Sequence, residues 1–132
     1  MAPKDVAMPE PLKVLVTGHR DFSDTELFDY QMAPIYEQGI THVIHGGASG
    51  ADALADAWAR RHGIQPVRCD ALWTSFGKYA GPRRNRAMLA LNPDLVVAFP
   101  LADSKGTFDM MDIAREAGIA VINATTFERG DA

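Results

Sequence analysis

The chain has 132 residues and 14.4 kDa, room for one domain and little for a second. Hydrophobic residues make up 47% and charged residues 23%, too apolar a mixture for a largely disordered chain. Thirteen Lys and Arg against 17 Asp and Glu leave a net charge of −4 and a pI near 5.4, which excludes a global basic field for duplex nucleic acid.

Residues 1–11, with three prolines, read as a loose leader without the apolar core of a signal peptide. A strand at 12–17 opens a single domain expected to span residues 12–126. Ser23-Asp24-Thr25-Glu26 has the capping-box pattern of a first helix, in which Pro34 is expected to kink or interrupt the last turn and a half. After a strand at 42–45, Ala51, Leu54, Ala55 and Trp58 recur at i, i+3, i+4 and i+7, the buried stripe of a second helix. A strand at 66–69 ends in Cys69, which as a lone cysteine cannot form an internal disulfide. Residues 71–79 show no clear period, and their aromatics Trp73, Phe76 and Tyr79 read as a packed loop or lid. A third helix opens at Gly81-Pro82 and stops at Asn92-Pro93. The next strand, 94–99, begins an apolar run far shorter than the roughly 20 residues a membrane span needs. A fourth helix from about Thr107 to Ala117 turns Phe108, Met111 and Ala114 inward. A strand at 120–123 and a frayed tail at 127–132 complete the chain.

Three junctions share one punctuation: Glu37-Gln38-Gly39-Ile40, Arg61-His62-Gly63-Ile64 and Glu116-Ala117-Gly118-Ile119. Each reads as a helix ending on a left-handed glycine, with the isoleucine packing back. The alternation predicts an α/β fold, a small Rossmann-like, doubly wound parallel sheet of about five strands with helices on both faces. The expected location is the reducing cytoplasm, with no membrane partner.

In such sheets ligands bind outside the carboxyl ends of the strands, near the point where strand order reverses. Four post-strand segments converge there: residues 17–21, 46–52, 70–73 and 100–107. Gly46-Gly47-Ala48-Ser49-Gly50-Ala51-Asp52 joins a strand to a helix with three glycines in five residues. Such a turn lets amides reach a phosphate with no Cβ in the way, or it is simply a tight turn that needs positive φ. Established fingerprints fail. Ala48 takes the middle glycine of G-x-G-x-x-G, Lys105-Gly106-Thr107 reverses the P-loop order, and Ala51 breaks G-x-S-x-G.

Arg83-Arg84-Asn85-Arg86 sets three guanidinium groups against a helix macrodipole, at about 0.3–1 kcal/mol each when exposed. An anionic ligand or neighbouring Asp side chains should offset that cost, and spacing alone does not choose among the arginines. Thr107 can cap the fourth helix while the Gly106 and Thr107 amides hold phosphate, unless the loop is only a capped turn. His19 and His45 end strands and read as hydrogen-bonded wall residues, with His42 and His45 on opposite faces, and no metal site is expected. Trp73, Phe76 and Tyr79 can stack a base or pack as a lid.

Taken together, Val16-Thr17-Gly18-His19-Arg20-Asp21-Phe22, His45-Gly46-Gly47-Ala48-Ser49-Gly50-Ala51-Asp52, Ala80-Gly81-Pro82-Arg83-Arg84-Asn85-Arg86-Ala87-Met88 and Ala98-Phe99-Pro100 with Gly106-Thr107 resemble the YspA-like (cpYpsA-related) branch of the SLOG superfamily. That superfamily also holds the LOG, or lysine decarboxylase-like, phosphoribohydrolases and the DprA/Smf proteins. The resemblance covers about residues 12–123. It implies a Rossmann-like fold that binds an AMP- or ADP-ribose-like ligand as a sensor or sequestering protein, in folds that commonly form homodimers. The candidate ligand contacts are Gly18, His19, Arg20, Gly46, Gly47, Ala48, Gly50, Ala51, Asp52, Arg84, Asn85, Pro100, Gly106 and Thr107, with Trp73 as a base or ribose wall.

LOG enzymes cleave the N-glycosidic bond of nucleoside monophosphates with an arginine from R-x-x-x-M and a glutamate from P-G-G-x-G-T-x-x-E. Arg84 matches the arginine, four residues before Met88. The second motif departs: Leu101 and Ala102 replace glycines, two additional residues precede Gly106-Thr107, and Met110 holds the glutamate position. The alternative function is therefore a nucleoside 5′-monophosphate N-glycosidase in which Asp52 or Asp109 acts as acid or base beside Arg84. A third option, a DNA-associated module like the DprA relatives, conflicts with the −4 charge and the absence of a continuous basic face in the sequence.

Overall fold

Five short apolar runs pair into one sheet in the computed structural model, which describes residues 11–129 apart from the side chains of Trp73 and Thr74. They are β1 (Leu12–Gly18), β2 (Ile40–His45), β3 (Gln65–Arg68), β4 (Leu95–Phe99) and β5 (Ala120–Asn123). Every pairing is parallel, in the order β3-β2-β1-β4-β5. The chain winds outward from β1 to β3 and then returns to β4, so the order reverses between β1 and β4. That is the switch point of a doubly wound fold, where the crossovers on either side diverge and leave a crevice.

Pleating sends alternate side chains of the central strands to opposite faces. Leu12, Val14 and Val16 of β1, with Leu95, Val97 and Phe99 of β4, pack under α1 (Thr25–Gln38) and α2 (Ala51–Arg61). Phe99 anchors this side, with the Phe28 ring stacked 4.7 Å away and the Phe22 ring at 5.1 Å. Leu15, Ile44 and Val96 face the other way, against Met88 of α4 (Ala80–Leu89) and Met110 and Ala114 of α5 (Lys105–Glu116). Burial on both faces is why β4 reads as an unbroken apolar run rather than an alternating one.

Two of the three glycine junctions close as expected. Gly63 and Gly118 have φ of +68° and +79°. Ile64 N–H donates to the Ala59 carbonyl at 2.8 Å and Ile119 N–H to the Ala114 carbonyl at 3.0 Å, the long bond of a Schellman motif. Gly39 differs. Its φ is positive, but it is extended in ψ (φ +94°, ψ 120°), and its carbonyl accepts from Leu12 N–H at 2.8 Å, so the chain passes from this glycine straight into β2 without a Schellman bond.

The helix starts and the irregular segment need corrections. Asp24, not Ser23, caps α1, its Oδ1 accepting from Leu27 N–H at 3.0 Å. The helix runs unbroken across Pro34, because Met32 and Ile35 on either side are buried against the sheet. Ser104, not Thr107, is the N-cap residue of α5, and Thr107 lies inside the first turn. Residues 73–79 form a short helix, α3 (Trp73–Phe76), and a 3-10 turn (Gly77–Tyr79), with Phe76 and Tyr79 exposed rather than packed.

At the carboxyl end the chain is tied down through residue 129. Asn123 Nδ2 donates to the Phe127 carbonyl at 2.6 Å, and Arg129 pairs with Asp109 and Asp112. Residues 1–10 of the leader expected at 1–11, and the last residues of the tail, 130–132, lie outside the described residues. Among the described residues no helix is long and apolar enough to cross a membrane.

Candidate functional site

The carboxyl ends of β1 and β4 and the starts of α2, α4 and α5 surround a cavity of about 480 Å³ at the switch point. Thr17, Gly18, His19 and Arg20 line it from β1, and Ala48, Ser49 and Asp52 from the turn into α2. Arg84, Asn85 and Met88 come from α4, and residues 103–107 from the turn into α5. The volume suits one small molecule.

Of the candidate contacts, Gly18, His19, Arg20, Ala48, Asp52, Arg84, Asn85, Gly106 and Thr107 are brought together here. Gly46, Gly47, Gly50, Ala51 and Pro100 do not line the cavity. The Pro100 carbonyl is taken by the Thr125 hydroxyl at 3.0 Å. The Trp73 side chain lies outside what the structure describes.

The three arginines of α4 point in different directions because each helical step turns about 100°. Arg83 lies over the Phe76 ring, 4.2 Å from its centroid, and Arg86 is exposed. Arg84 turns into the cavity, where Nη1 donates to the Gly46 carbonyl at 2.8 Å and Nε to Asn85 Oδ1 at 3.2 Å. Asn85, buried, reaches the Gly106 carbonyl at 3.5 Å, so α4 and the start of α5 are tied at the arginine.

The glycine turn packs closely against the protein's own groups. Gly50 has φ +71°, and a Cβ there would run into the backbone of His19 and Arg20. At Gly47 a Cβ would meet Asp70 and Arg68, and at Gly46 the Arg84 guanidinium. Ala51 N–H donates to the His19 carbonyl at 3.3 Å, and Ala48 N–H to Asp52 Oδ2 at 3.2 Å. The Asp52 carboxylate thus folds back onto the turn that leads into α2.

The α5 N-terminus is arranged in the opposite way. Its first turn holds no acidic residue, and Ser104 makes no side-chain cap, since its hydroxyl accepts from Leu101 N–H at 2.7 Å. The first-turn amides of Lys105, Gly106 and Thr107 therefore have no intrahelical acceptor. A Cβ at Gly106 would meet nothing within 4 Å. Lys105, which is not among the candidate contacts, lines the cavity too, and a cation in a helix's first turn is the same signal that singles out the arginines. Ser49 and Met88, each inside a quoted motif, and Asp103 and Ser104 also line the cavity without being among the candidate contacts.

Both strand-end histidines have an assigned proton. His19 Nδ1 accepts from Asp21 N–H at 2.9 Å, leaving the proton on Nε2. His45, 2% exposed, accepts from Gly47 N–H at Nδ1 (3.1 Å), and its Nε2 donates to Asp56 Oδ2 at 2.7 Å. The Arg60 side chain, hydrogen-bonded to Asp56 at 2.6 Å, is the main cause holding that carboxyl below its ordinary value. His45 therefore braces the glycine turn and α2. Among the described residues no three His, Cys, Asp or Glu side chains gather as metal ligands would.

The two candidate carboxylates part company. Asp109 is outside the cavity, its Oδ1 held by Arg129 at 3.0 Å. Asp52 is 6% exposed, and burial pushes its carboxyl above the ordinary value of 3.8 despite the Ala48 amide and the nearby Arg84 charge. A raised value in the folded state means that this group's stabilising contribution is complete below pH 3.8 and is lost as the pH rises through the raised value. Asp52→Asn removes the titration. The melting temperature of the variant relative to wild type is therefore expected to climb between pH 4 and pH 7. A difference independent of pH would show that Asp52 ionises normally.

With the geometry in place, the chain can be compared with known proteins. The Gene 61 protein of Mycobacterium phage D29 is 41% identical over 119 residues, covering 84% of this chain and 94% of that one. The family model for the YspA, cpYpsA-related SLOG family matches residues 12–76. This chain belongs to that SLOG family. The matched span runs from β1 through the glycine turn and α2 to α3. The X-ray structure of DNA processing protein A (DprA) from Streptococcus pneumoniae superposes with a TM-score of 0.68 over 83% of this chain, at 18% identity. This SLOG chain spans 49% of the DprA chain, and the likeness at that identity concerns the fold. Within the SLOG chain, Met110 stands where the LOG resemblance places a glutamate. It is 0% exposed, packed in the core with Leu15, Ile44 and Val96, so that position offers the cavity no carboxylate.

Proposed function

We propose that this SLOG protein binds a small 5′-phosphorylated nucleotide or nucleotide derivative at the switch-point cavity and acts as a sensor or sequestering protein. The observation that carries the reading is the uncapped N-terminus of α5, with Lys105 in its first turn and the Arg84 guanidinium lining the same cavity. Orphan amides, a helix dipole and a bidentate cation are the three elements that recognise a phosphate dianion. In this reading His19, with its proton on Nε2, and Arg20, which line the same cavity, meet the ribose or base. A ligand held only by the folded state raises its stability by about 2.7 kcal/mol at a hundred times its Kd. AMP or ADP-ribose at millimolar concentration is therefore expected to raise the melting temperature by several degrees in a thermal-shift panel of nucleotides. No shift from any member of a broad panel would overturn the reading.

Asp52 supports a second reading, the N-glycosidase. A buried carboxyl that keeps its proton to higher pH than usual, in one cavity with an arginine, can donate that proton to a departing base. Asp109, paired with Arg129, is not the acid in this reading. Chromatography of nucleoside 5′-monophosphates after incubation decides: free base that disappears with Asp52→Asn means turnover, and no free base means binding alone.

A further inference from the structure

Residues 71–93 carry Lys78, Arg83, Arg84 and Arg86 and not one Asp or Glu, in a chain whose net charge is −4. The fold spreads this stretch alongside the cavity. A second hollow, about 410 Å³, shares Arg84, Asn85, Lys105 and Gly106 with the cavity and adds Lys78 and Arg86. A third, about 600 Å³, shares Pro82 and Arg86 with the second and ends on Phe76, Tyr79 and Arg83. Through these shared residues each hollow adjoins the next, a track that leads from the α5 N-terminus to an aromatic surface. Among the described residues, no carboxylate lines the third hollow, and the one lining the second, Asp109, is engaged by Arg129.

The far end of the track is unlike a core or a solvated face. Tyr79 is 61% exposed and Phe76 37%, with the Arg83 guanidinium over Phe76 and Lys78 Nζ 5.4 Å from the Tyr79 centroid. Flat rings interleaved with cations suit a partner that alternates flat bases with phosphates. The bases must be unstacked to use the rings, which favours a single strand over a duplex. The whole-chain charge that excluded a duplex footprint does not bear on a few phosphates following a local cationic track.

We infer that the natural ligand of this site is a single-stranded oligonucleotide of two or more nucleotides. Its terminal 5′-phosphate sits at the α5 N-terminus, and the following units run past Arg86 to stack on Phe76 and Tyr79. This rests on the nucleotide reading above and extends it along the track.

The test is fluorescence anisotropy competition with 5′-phosphorylated oligothymidylates of one, two, four and six nucleotides. Affinity is expected to rise about tenfold for each base that gains a ring and then level off. The slope of log affinity against log salt should steepen by about 0.7 for each further phosphate held. Phe76→Ala combined with Tyr79→Ala should abolish the gain with length and leave mononucleotide affinity unchanged. Equal affinity at every length overturns the inference and leaves the mononucleotide reading standing. If not even the mononucleotide binds, both fall. If sedimentation shows that the double variant splits a dimer while oligonucleotide affinity stays the same, the rings are a contact between copies and the inference is overturned.

Discussion

Replacing Arg84 by alanine is expected to weaken 5′-phosphorylated mononucleotide binding by roughly 10- to 150-fold, the equivalent of about 1.5–3 kcal/mol for hydrogen bonds to a charged group. Arg83 is stacked on Phe76 and Arg86 lies outside the switch-point cavity, so their alanine variants should change mononucleotide affinity by less than about threefold, as remote exposed charges do. Arg84→Lys keeps the charge but loses the planar fork, and should fall between wild type and Arg84→Ala. Arg84 also bonds the Gly46 carbonyl, so the calorimetric titration needs a parallel melting curve to separate lost binding from a loosened turn. Equal, small effects at all three arginines would mean that the phosphate is held elsewhere.

The second large effect concerns two glycines that look equivalent in sequence and are opposite in structure. Gly50 combines φ +71° with ψ −128°, a conformation close to glycine-only territory, and a Cβ there collides with the His19 and Arg20 backbone. Gly50→Ala is expected to cost about 2–4 kcal/mol, from backbone strain of 1–3 kcal/mol with a steric term added. That lowers the melting temperature by on the order of 10 °C. Gly106 lies in the first turn of α5 with nothing within 4 Å of a Cβ. Gly106→Ala should leave stability unchanged or raise it by up to about 1 kcal/mol through helix propensity. Its methyl group would stand beside the first-turn amides and weaken phosphate binding. Denaturant unfolding of both variants, with nucleotide titration of Gly106→Ala, checks the pair. If Gly50→Ala is as stable as wild type but loses the ligand, the glycine turn is the cradle after all.

This contrast marks where sequence reasoning succeeded and where it stopped. All five strands and the doubly wound parallel sheet were legible, because central strands such as β4 are apolar throughout and the longer helices carry stripes or start and stop signals, whereas the short α3 does not. The edge of the sheet on which the site lies followed from the same topology. The side-chain hydrogen bonds at the two helix starts did not: Asp52 folds back onto the Ala48 amide, and the Ser104 hydroxyl turns to Leu101 instead of capping α5. Spacing cannot show either rotamer choice. The direction of Arg84 was hidden for a related reason: three arginines within one helical turn differ only in azimuth, and what breaks the tie is a backbone carbonyl 38 residues away in sequence. Phe76 and Tyr79, read from sequence as part of a packed loop or lid or as base-stacking rings, are exposed, because composition marks rings as apolar without saying whether a core reaches them.

The central claim is that a phosphate is held at the start of α5 and not at the glycine turn. Amide chemical-shift mapping of the isotopically labelled protein with AMP, and with adenosine as the phosphate-free control, tests it residue by residue. The expected result is that AMP moves the Lys105, Gly106 and Thr107 amides strongly, adenosine leaves them in place, and Gly47 and Gly50 shift little with either. Strong, phosphate-dependent shifts centred on Gly47 and Gly50, with the α5 amides unmoved, would contradict it.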